Sequence, residues 1–328
     1  MMRQLITDLP EQLQLAFANA RDARLKGSSA PIRNAVIIGM GGSGIGGTIV
    51  SRLIASECPI PILSVKDYDL PSFVDDGTLA IVCSYSGNTE ETYMAMEEAL
   101  GRGAQVACIS SGGKIGSLAV DRGLDWIEIP GGNPPRSQFG YSAISLFRLL
   151  SAYGLIKQER FDRLEHIGSF LQSQQENAIS RSKALTEKLA NRIIILYAAD
   201  NHAGVAVRWR QQINENAKRL CWHHVYPEMN HNELVGWDGG DERFGVILLR
   251  STDDHERSSI RMNITEELFL KRGALVENVV AQGNTPEERC FDLIQLGDWL
   301  SLHLAEYYGV DPVAIPSIDY LKSELSKV

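Results

Sequence analysis

Two short loops, each set between an apolar run and a helical stretch, leave this chain few ways to fold. The first is Gly39-Met40-Gly41-Gly42-Ser43-Gly44, preceded by Val36-Ile37-Ile38. The second is Ser84-Tyr85-Ser86-Gly87-Asn88-Thr89, preceded by Leu79-Ala80-Ile81-Val82-Cys83 and followed by Glu90 and Glu91. A strand, a turn of small residues and a helix start together form an anion pocket. Glycines let the backbone approach the ligand, free N–H groups point at it, and the helix dipole favours negative charge there. The second loop adds the hydroxyls of Ser84, Ser86 and Thr89. Two such loops at one edge of a single sheet suggest one phosphate gripped from both sides.

The rest of the chain extends this pattern. Strand-like runs at 36–38, 62–65, 79–83, 106–110 and 126–129 alternate with helical spacing at 46–56, 90–102 and 116–122, and a helix at 8–27 precedes them through Leu9, Leu13, Leu15, Ala16 and Ala20. Such alternation predicts a doubly wound α/β domain with a parallel sheet covered on both faces. Gly131-Gly132-Asn133-Pro134-Pro135-Arg136 must be a loop, and 141–189 reads as helix. A second alternating series follows: strands at 193–197, 223–225, 244–249 and 275–280, with helices at 205–218, 258–272, 287–308 and 318–326. The expectation is two α/β domains, 1–150 and 191–328, joined by a helical connector over 151–190. At 328 residues the chain suits two cores rather than one. The second half lacks the glycine and serine loops, with Ala198-Ala199-Asp200-Asn201 at the equivalent point.

Bulk properties exclude whole classes of partner. A formal charge of −9 argues against nucleic acid. No run reaches the length of a membrane span, and the N-terminus has no apolar leader segment. The five cysteines lack CxxC spacing, and Cys83 and Cys108 fall inside strand-like runs, which predicts buried free thiols in a soluble cytoplasmic protein.

Gly39, Gly41 and Gly44 also satisfy the dinucleotide fingerprint G-x-G-x-x-G, with Asp67 placed where a ribose-binding acid would stand. A dinucleotide site has no need of a hydroxyl cup on a further strand, so the sugar-phosphate reading is preferred and no cofactor is expected.

The two loops together resemble the sugar isomerase (SIS) domain. Further segments narrow the likeness: Asn214-Glu215-Asn216-Ala217-Lys218, Pro227-Glu228-Met229-Asn230-His231-Asn232-Glu233 and Ile318-Asp319-Tyr320-Leu321-Lys322 resemble the bifunctional phosphoglucose/phosphomannose isomerase family. The matching segments run in the family's order from about Asn34 to Lys322. The resemblance implies two SIS-type domains and an aldose–ketose isomerase acting on hexose 6-phosphates without cofactor or metal. It implies that Gly42, Ser43, Ser84, Ser86 and Thr89 hold the phosphate, and that Arg136 contacts the sugar near its reacting carbons. Glu215 would be the catalytic base, with His231 and Lys322 handling ring opening. It further implies a homodimer with an active site shared between subunits, the histidine crossing the interface. Where some relatives carry threonine before the proline at 316, this chain has Ile315, which leaves mannose 6-phosphate the less secure substrate.

These residue types suit the chemistry. A proton moving between C2 and C1 through a cis-enediol needs one carboxylate near both carbons. A fixed guanidinium answers the enediolate charge without reorganising, and imidazole is suited to proton traffic near neutrality. Each also has a plainer reading. Glu215 could be a solvated helix residue paired with Lys218. His231 could join His223, His224 and Glu228 at a metal, although the spacing is unlike a structural zinc site. Lys322 could be a surface charge, Arg136 plain loop, and Ser84 or Thr89 mere helix caps. A non-catalytic sugar-phosphate sensor remains the rival function; such regulators carry an appended DNA-binding or partner domain, and only one helix precedes the first strand here.

Overall fold

The computed structural model describes residues 1–327. After α1 (Met2–Thr7), helix α2 (Leu9–Asp22) buries Leu9, Leu13, Ala16, Phe17 and Ala20 as one stripe. Leu15, expected on that stripe, is instead exposed, because it lies off the face set by the 3.6-residue period, and Phe17 takes its place.

The first sheet contains β1 (Asn34–Ile38), β2 (Ile62–Val65), β3 (Thr78–Cys83), β4 (Gln105–Ser110) and β5 (Asp125–Glu128), all parallel in the order β2-β1-β3-β4-β5. Alternate side chains face opposite layers, as the strand period of two requires. Val36, Ile38, Ala80, Val82 and Cys108 meet α4 (Glu90–Gly101) and α5 (Gly113–Arg122). Ala35, Ile37, Leu79, Ile81 and Ile109 face the other way, into the largest core. Helix α3 (Gly41–Leu53) follows the first loop and begins five residues earlier than its sequence predicts. Glycine's poor helix propensity hides that start. Close approach demands it: a Cβ on Gly44 would lie 2.1 Å from the Gly39 carbonyl oxygen.

Helices α6 (Phe139–Ala152), α7 (Gln158–Asp162) and α8 (Ile167–Leu189) carry the chain to the second sheet. That sheet consists of β6 (Ile193–Ala199), β7 (Trp222–Tyr226), β8 (Phe244–Arg250) and β9 (Leu275–Val280), parallel in the order β7-β6-β8-β9. Helix α9 (Ala203–Ala217) joins β6 to β7; the short α10 (Glu233–Gly236) and then α11 (Glu256–Lys271) follow. The chain ends with α12 (Pro286–Tyr307) and α13 (Pro316–Leu325).

The strand order makes both sheets variations of one plan, with β6, β7, β8 and β9 taking the places of β1, β2, β3 and β4. Between the sheets lies a shared helical layer. Residues of α2, α3, α6, α8, α9 and α12 join both sheets' inner faces in one continuous core. Helix α12 is its axle. A capping box of Thr285 and Glu288 starts it, and it is buried from Glu287 to Ala305. Gly297 lets the Trp209 indole of α9 lie against its backbone, where a Cβ would come within 2.3 Å of Trp209 Nε1; that nitrogen donates to the Leu293 carbonyl at 2.8 Å. The position of α9 is thereby fixed against α12, and Gly204 at its other end lies against Ile49 of α3. Four cysteines are buried, Cys58 is partly so, and all five are free thiols.

Candidate active site

The two loops meet as their composition predicts. Gly41 and Gly42 open α3, while the N–H groups of Ser43 and Gly44 turn back to the Met40 carbonyl, both at 3.0 Å. The first-turn N–H groups of Gly41 and Gly42 have no intrahelical acceptor and are available to an anion. Ser43 Oγ accepts the Tyr85 N–H at 2.9 Å, which ties the glycine turn to the serine loop. Ser86 Oγ accepts the Asn88 N–H at 3.2 Å, and Ser84 Oγ lies 3.0 Å from Thr89 Oγ1. A hydroxyl that accepts from backbone keeps its own proton free, and in the Ser84–Thr89 pair only one proton is consumed. The cup therefore presents hydroxyl donors, as a phosphate requires. The capping reading fails for Thr89: it occupies the N-cap of α4 but makes no side-chain cap bond. Asp67, the acid of the dinucleotide reading, is exposed and accepts the neighbouring Tyr68 N–H.

The cup abuts the next candidate residue, Arg136, directly. A Cβ on Gly42 would stand 2.9 Å from the Arg136 backbone nitrogen, so only glycine lets the turn lie flat on the 134–136 loop. Asn133 N–H donates to Tyr85 Oη at 3.0 Å, tying that loop to the cup a second time. Arg136 is not plain loop. Its side chain is 4% exposed and crosses into the second domain. Nη2 donates to the carbonyls of Pro312 (2.6 Å) and Val313 (3.1 Å), Nε donates to Asn216 Oδ1 (2.8 Å), and Nη1 lies 3.3 Å from Glu215 Oε2. Burial pulls the guanidinium below its ordinary pKa, while Glu215 and Asp311 pull it back up.

Glu215 is not a solvated helix residue. It stands near the end of α9 facing Arg136, with its side chain 28% exposed. Lys218 does not pair with its carboxylate: in a left-handed conformation (φ 55°) that ends the helix, Lys218 donates Nζ to the Glu215 carbonyl at 2.5 Å. Burial first, and the Arg136 guanidinium second, push the Lys218 amine below the usual lysine range. One face of the cleft thus offers a carboxylate between two cations, beside an anion cup.

His231 and Lys322 are placed differently. The helix α9 runs back against the strands it connects, so Glu215 lies at the edge where β7 begins. His231, in the one-turn helix Glu228–His231 after β7, lies at the opposite edge. A strand the length of β7 separates them, on the order of 16 Å. His231 is exposed, and neither it nor Lys322 makes a hydrogen bond or ion pair with Glu215 or Arg136 among the described residues. One chain alone does not bring the histidine to the glutamate. Lys322 is exposed on α13, a helix with no buried residue; α13 begins three residues after the Val313 carbonyl that Arg136 holds.

The histidines 223, 224 and 231 with Glu228 form no metal-ligating group among the described residues. His202, Asp253 and Asp254 do come within 4.8 Å of one another. There Arg289 Nε donates to Asp253 Oδ1 at 3.0 Å, and His202 Nε2 lies 3.4 Å from the same oxygen. A guanidinium already on that oxygen opposes a metal ion, and the cluster reads as a lock on the loop after β8.

Apart from Asn216, the residues behind Arg136 belong to no sequence motif. Arg208, Gln212 and Asn216 recur every four residues along α9 and so share one face, as do Asp298 and Ser301 on α12. Arg210, Gln211, Asn214 and Glu215 make the rest of α9 equally polar, so this spacing does not stand out in the sequence.

Known proteins resemble this chain in sequence and in fold. A family model for the bacterial phospho-glucose isomerase C-terminal SIS domain matches residues 178–325. A bifunctional phosphoglucose/phosphomannose isomerase of Caldicellulosiruptor bescii is 37% identical, covering 100% of this chain and 99% of its own. A D-glucosamine-6-phosphate 4-epimerase of Sulfolobus acidocaldarius is 33% identical, covering 74% and 76%. Among solved structures, the tagatose-6-phosphate ketose/aldose isomerase of Escherichia coli superposes with a TM-score of 0.73 at 15% identity, over 95% of this chain and 94% of that one.

Proposed function

The chain belongs to the bifunctional phosphoglucose/phosphomannose isomerase family, and on that premise we propose that it interconverts glucose 6-phosphate and fructose 6-phosphate, and mannose 6-phosphate with them, through a cis-enediol. One observation carries the reading: Arg136 links the anion cup, through its contact with Gly42, to the Glu215 carboxylate 3.3 Å from its guanidinium. A phosphate held by Gly42, Ser43, Ser84, Ser86 and Thr89 would lay the sugar along that line. Glu215 would take the proton from one of the first two carbons and return it to the other. The Arg136 guanidinium, held at Nε and Nη2 by three carbonyl and amide oxygens, would answer the enediolate charge. No step of this route calls for a metal or a redox cofactor.

Ring opening needs an acid for the ring oxygen and a base for the C1 hydroxyl, roles for which Lys322 and His231 are suited. Because His231 sits across the second sheet from Glu215, it would come from a second subunit of a homodimer. Uncovered apolar side chains support that assembly: Ile318, Leu321 and Leu325 on α13, and Leu220, Trp222 and Val235 about the β7 edge, are all exposed. The same reading places the enzyme in a reducing cytoplasm, which the five free thiols support.

The functional test is a coupled assay with fructose 6-phosphate, mannose 6-phosphate and glucosamine 6-phosphate, with and without chelator. Conversion of fructose 6-phosphate to glucose 6-phosphate, unaffected by chelator, is expected. Binding without conversion would favour a sensor, and turnover of the amino sugar alone would favour chemistry of the kind named for the Sulfolobus relative. Ile315, N-cap of α13 and two residues past the Val313 contact of Arg136, carries no hydroxyl. Should a hydroxyl there admit the second epimer, Ile315→Thr will raise mannose 6-phosphate turnover relative to glucose 6-phosphate. Removing a cup donor should act on binding: Ser84→Ala is expected to cost about 1.5–3 kcal/mol, a hydrogen bond to a charged group. That appears as a KM for fructose 6-phosphate raised by roughly tenfold or more, and an unchanged KM would remove Ser84 from the cup.

A further inference from the structure

The Arg136 guanidinium is held by a buried polar relay that reaches into the centre of the molecule. Arg136 Nε donates to Asn216 Oδ1 at 2.8 Å, Asn216 Nδ2 donates to Ser301 Oγ at 2.9 Å, and Ser301 Oγ donates to the Asp298 carbonyl at 2.7 Å. A second branch holds the backbone of the same residue. Arg208 Nη2 donates both to the Arg136 carbonyl at 3.1 Å and to Asp298 Oδ2 at 2.7 Å, and Gln212 Nε2 donates to Asp298 Oδ1 at 2.8 Å. The Arg208 guanidinium also stacks 4.7 Å over the Phe139 ring, just beyond the 134–136 loop. Asn216 and Ser301 are fully buried, and Asp298, Arg208 and Gln212 nearly so.

We propose that Asn216, Ser301, Asp298, Arg208 and Gln212 form a positioning clamp that presets the Arg136 guanidinium for the developing enediolate. This rests on the proposed isomerase function and deepens it. Stability alone is a poor reason for the arrangement, because a buried ion pair is often no better than apolar side chains of the same volume. Its geometry, by contrast, is what preorganisation requires. Arginine has five donors and four rotatable bonds, and a free guanidinium would follow the ground-state hydroxyls instead of waiting for the transition-state charge. Asn216 occupies Nε and the carbonyls of Pro312 and Val313 occupy Nη2. The edge left for reaction is Nη1, which faces Glu215. Since Asn216 is the next residue after Glu215 on α9, one helix end aims both the base and the cation. Ser301 ties that end to α12, and Asp298 ties the preceding two turns through Gln212 and Arg208.

The experiment compares wild type with Asn216→Ala and Asn216→Asp as full-length protein. Asn216→Ala removes the acceptor for Arg136 Nε, while Asn216→Asp keeps that acceptor but loses the donor to Ser301 Oγ and adds a carboxylate beside the guanidinium. Asn216→Ala is expected to lower kcat about tenfold to a hundredfold with KM for fructose 6-phosphate within about threefold. A phosphorylated aldonic acid, whose carboxylate mimics the enediolate, should lose affinity in parallel with kcat, whereas inorganic phosphate should bind as before. Asn216→Asp should keep the guanidinium in place yet recover kcat only in part, because its charge offsets that of Arg136 and its carboxylate cannot donate to Ser301 Oγ. A crystal structure of Asn216→Ala should show the guanidinium turned from Glu215, a readout that does not depend on activity. If folded Asn216→Ala keeps kcat within twofold, or its guanidinium stays in place, the clamp is refuted. If the wild type converts no hexose phosphate, the isomerase reading falls, and the variant crystal structure still decides whether Asn216 holds Arg136.

Discussion

Glu215→Gln is expected to lower kcat for fructose 6-phosphate by about 10³-fold, within the range that a positioned general acid–base supplies. Glutamine is nearly the same shape and keeps an oxygen for Arg136 Nη1, 3.3 Å from the present carboxylate. The fold and the clamp behind Arg136 should therefore survive, while the proton carrier is lost. Steady-state kinetics and phosphate titration check this together: kcat collapses and inorganic phosphate affinity stays within about threefold, because the cup on β1 and β3 has no contact with the mutated atom. In D2O the wild type should introduce solvent deuterium at C2, and the variant should not. A Glu215→Gln enzyme retaining a tenth of native turnover would assign the base to another residue.

Mixing two dead enzymes should restore activity. Glu215→Gln and His231→Ala homodimers are each expected to fall by two or more orders of magnitude. In the heterodimer, the glutamate of one chain and the histidine of the other form one intact site, and the second site carries both substitutions. With random exchange of subunits half of the dimers are mixed, so activity should return to about a quarter of native under two-fold symmetry. No recovery after subunit exchange, verified by mass, would place His231 outside the partner's site. The topology motivates the test: the end of α9 and the turn after β7 lie at opposite edges of the second sheet.

The fold was largely legible because its inner strands β1, β3, β4, β6 and β8 are short apolar runs bounded by small or polar residues. Parallel sheets buried on both faces impose that pattern. Element ends at glycine were less so: the start of α3 is dictated by close approach between Gly39 and Gly44, which no local propensity reveals. Leu15 was misplaced because several apolar residues in 9–20 fit a helix, and only packing selects the stripe through Phe17. At the site, the hydroxyl cup could be read from adjacent residues, but Arg136 and Glu215 gain meaning only when a loop and a helix end eighty residues apart meet. Asp298 and Arg208 were invisible for the same reason. A charged residue on a helix reads as surface until the opposing helix is known.

The most direct test is a crystal soaked with fructose 6-phosphate. The account predicts the phosphate between the Gly41–Gly42 turn and the Ser84, Ser86 and Thr89 hydroxyls. It also predicts C1 and C2 of the sugar within about 3.5 Å of the Glu215 carboxylate, the separation of a near-attack arrangement. A sugar phosphate bound away from that cup, or one seated in it with both carbons beyond the reach of Glu215 in every copy, would contradict it.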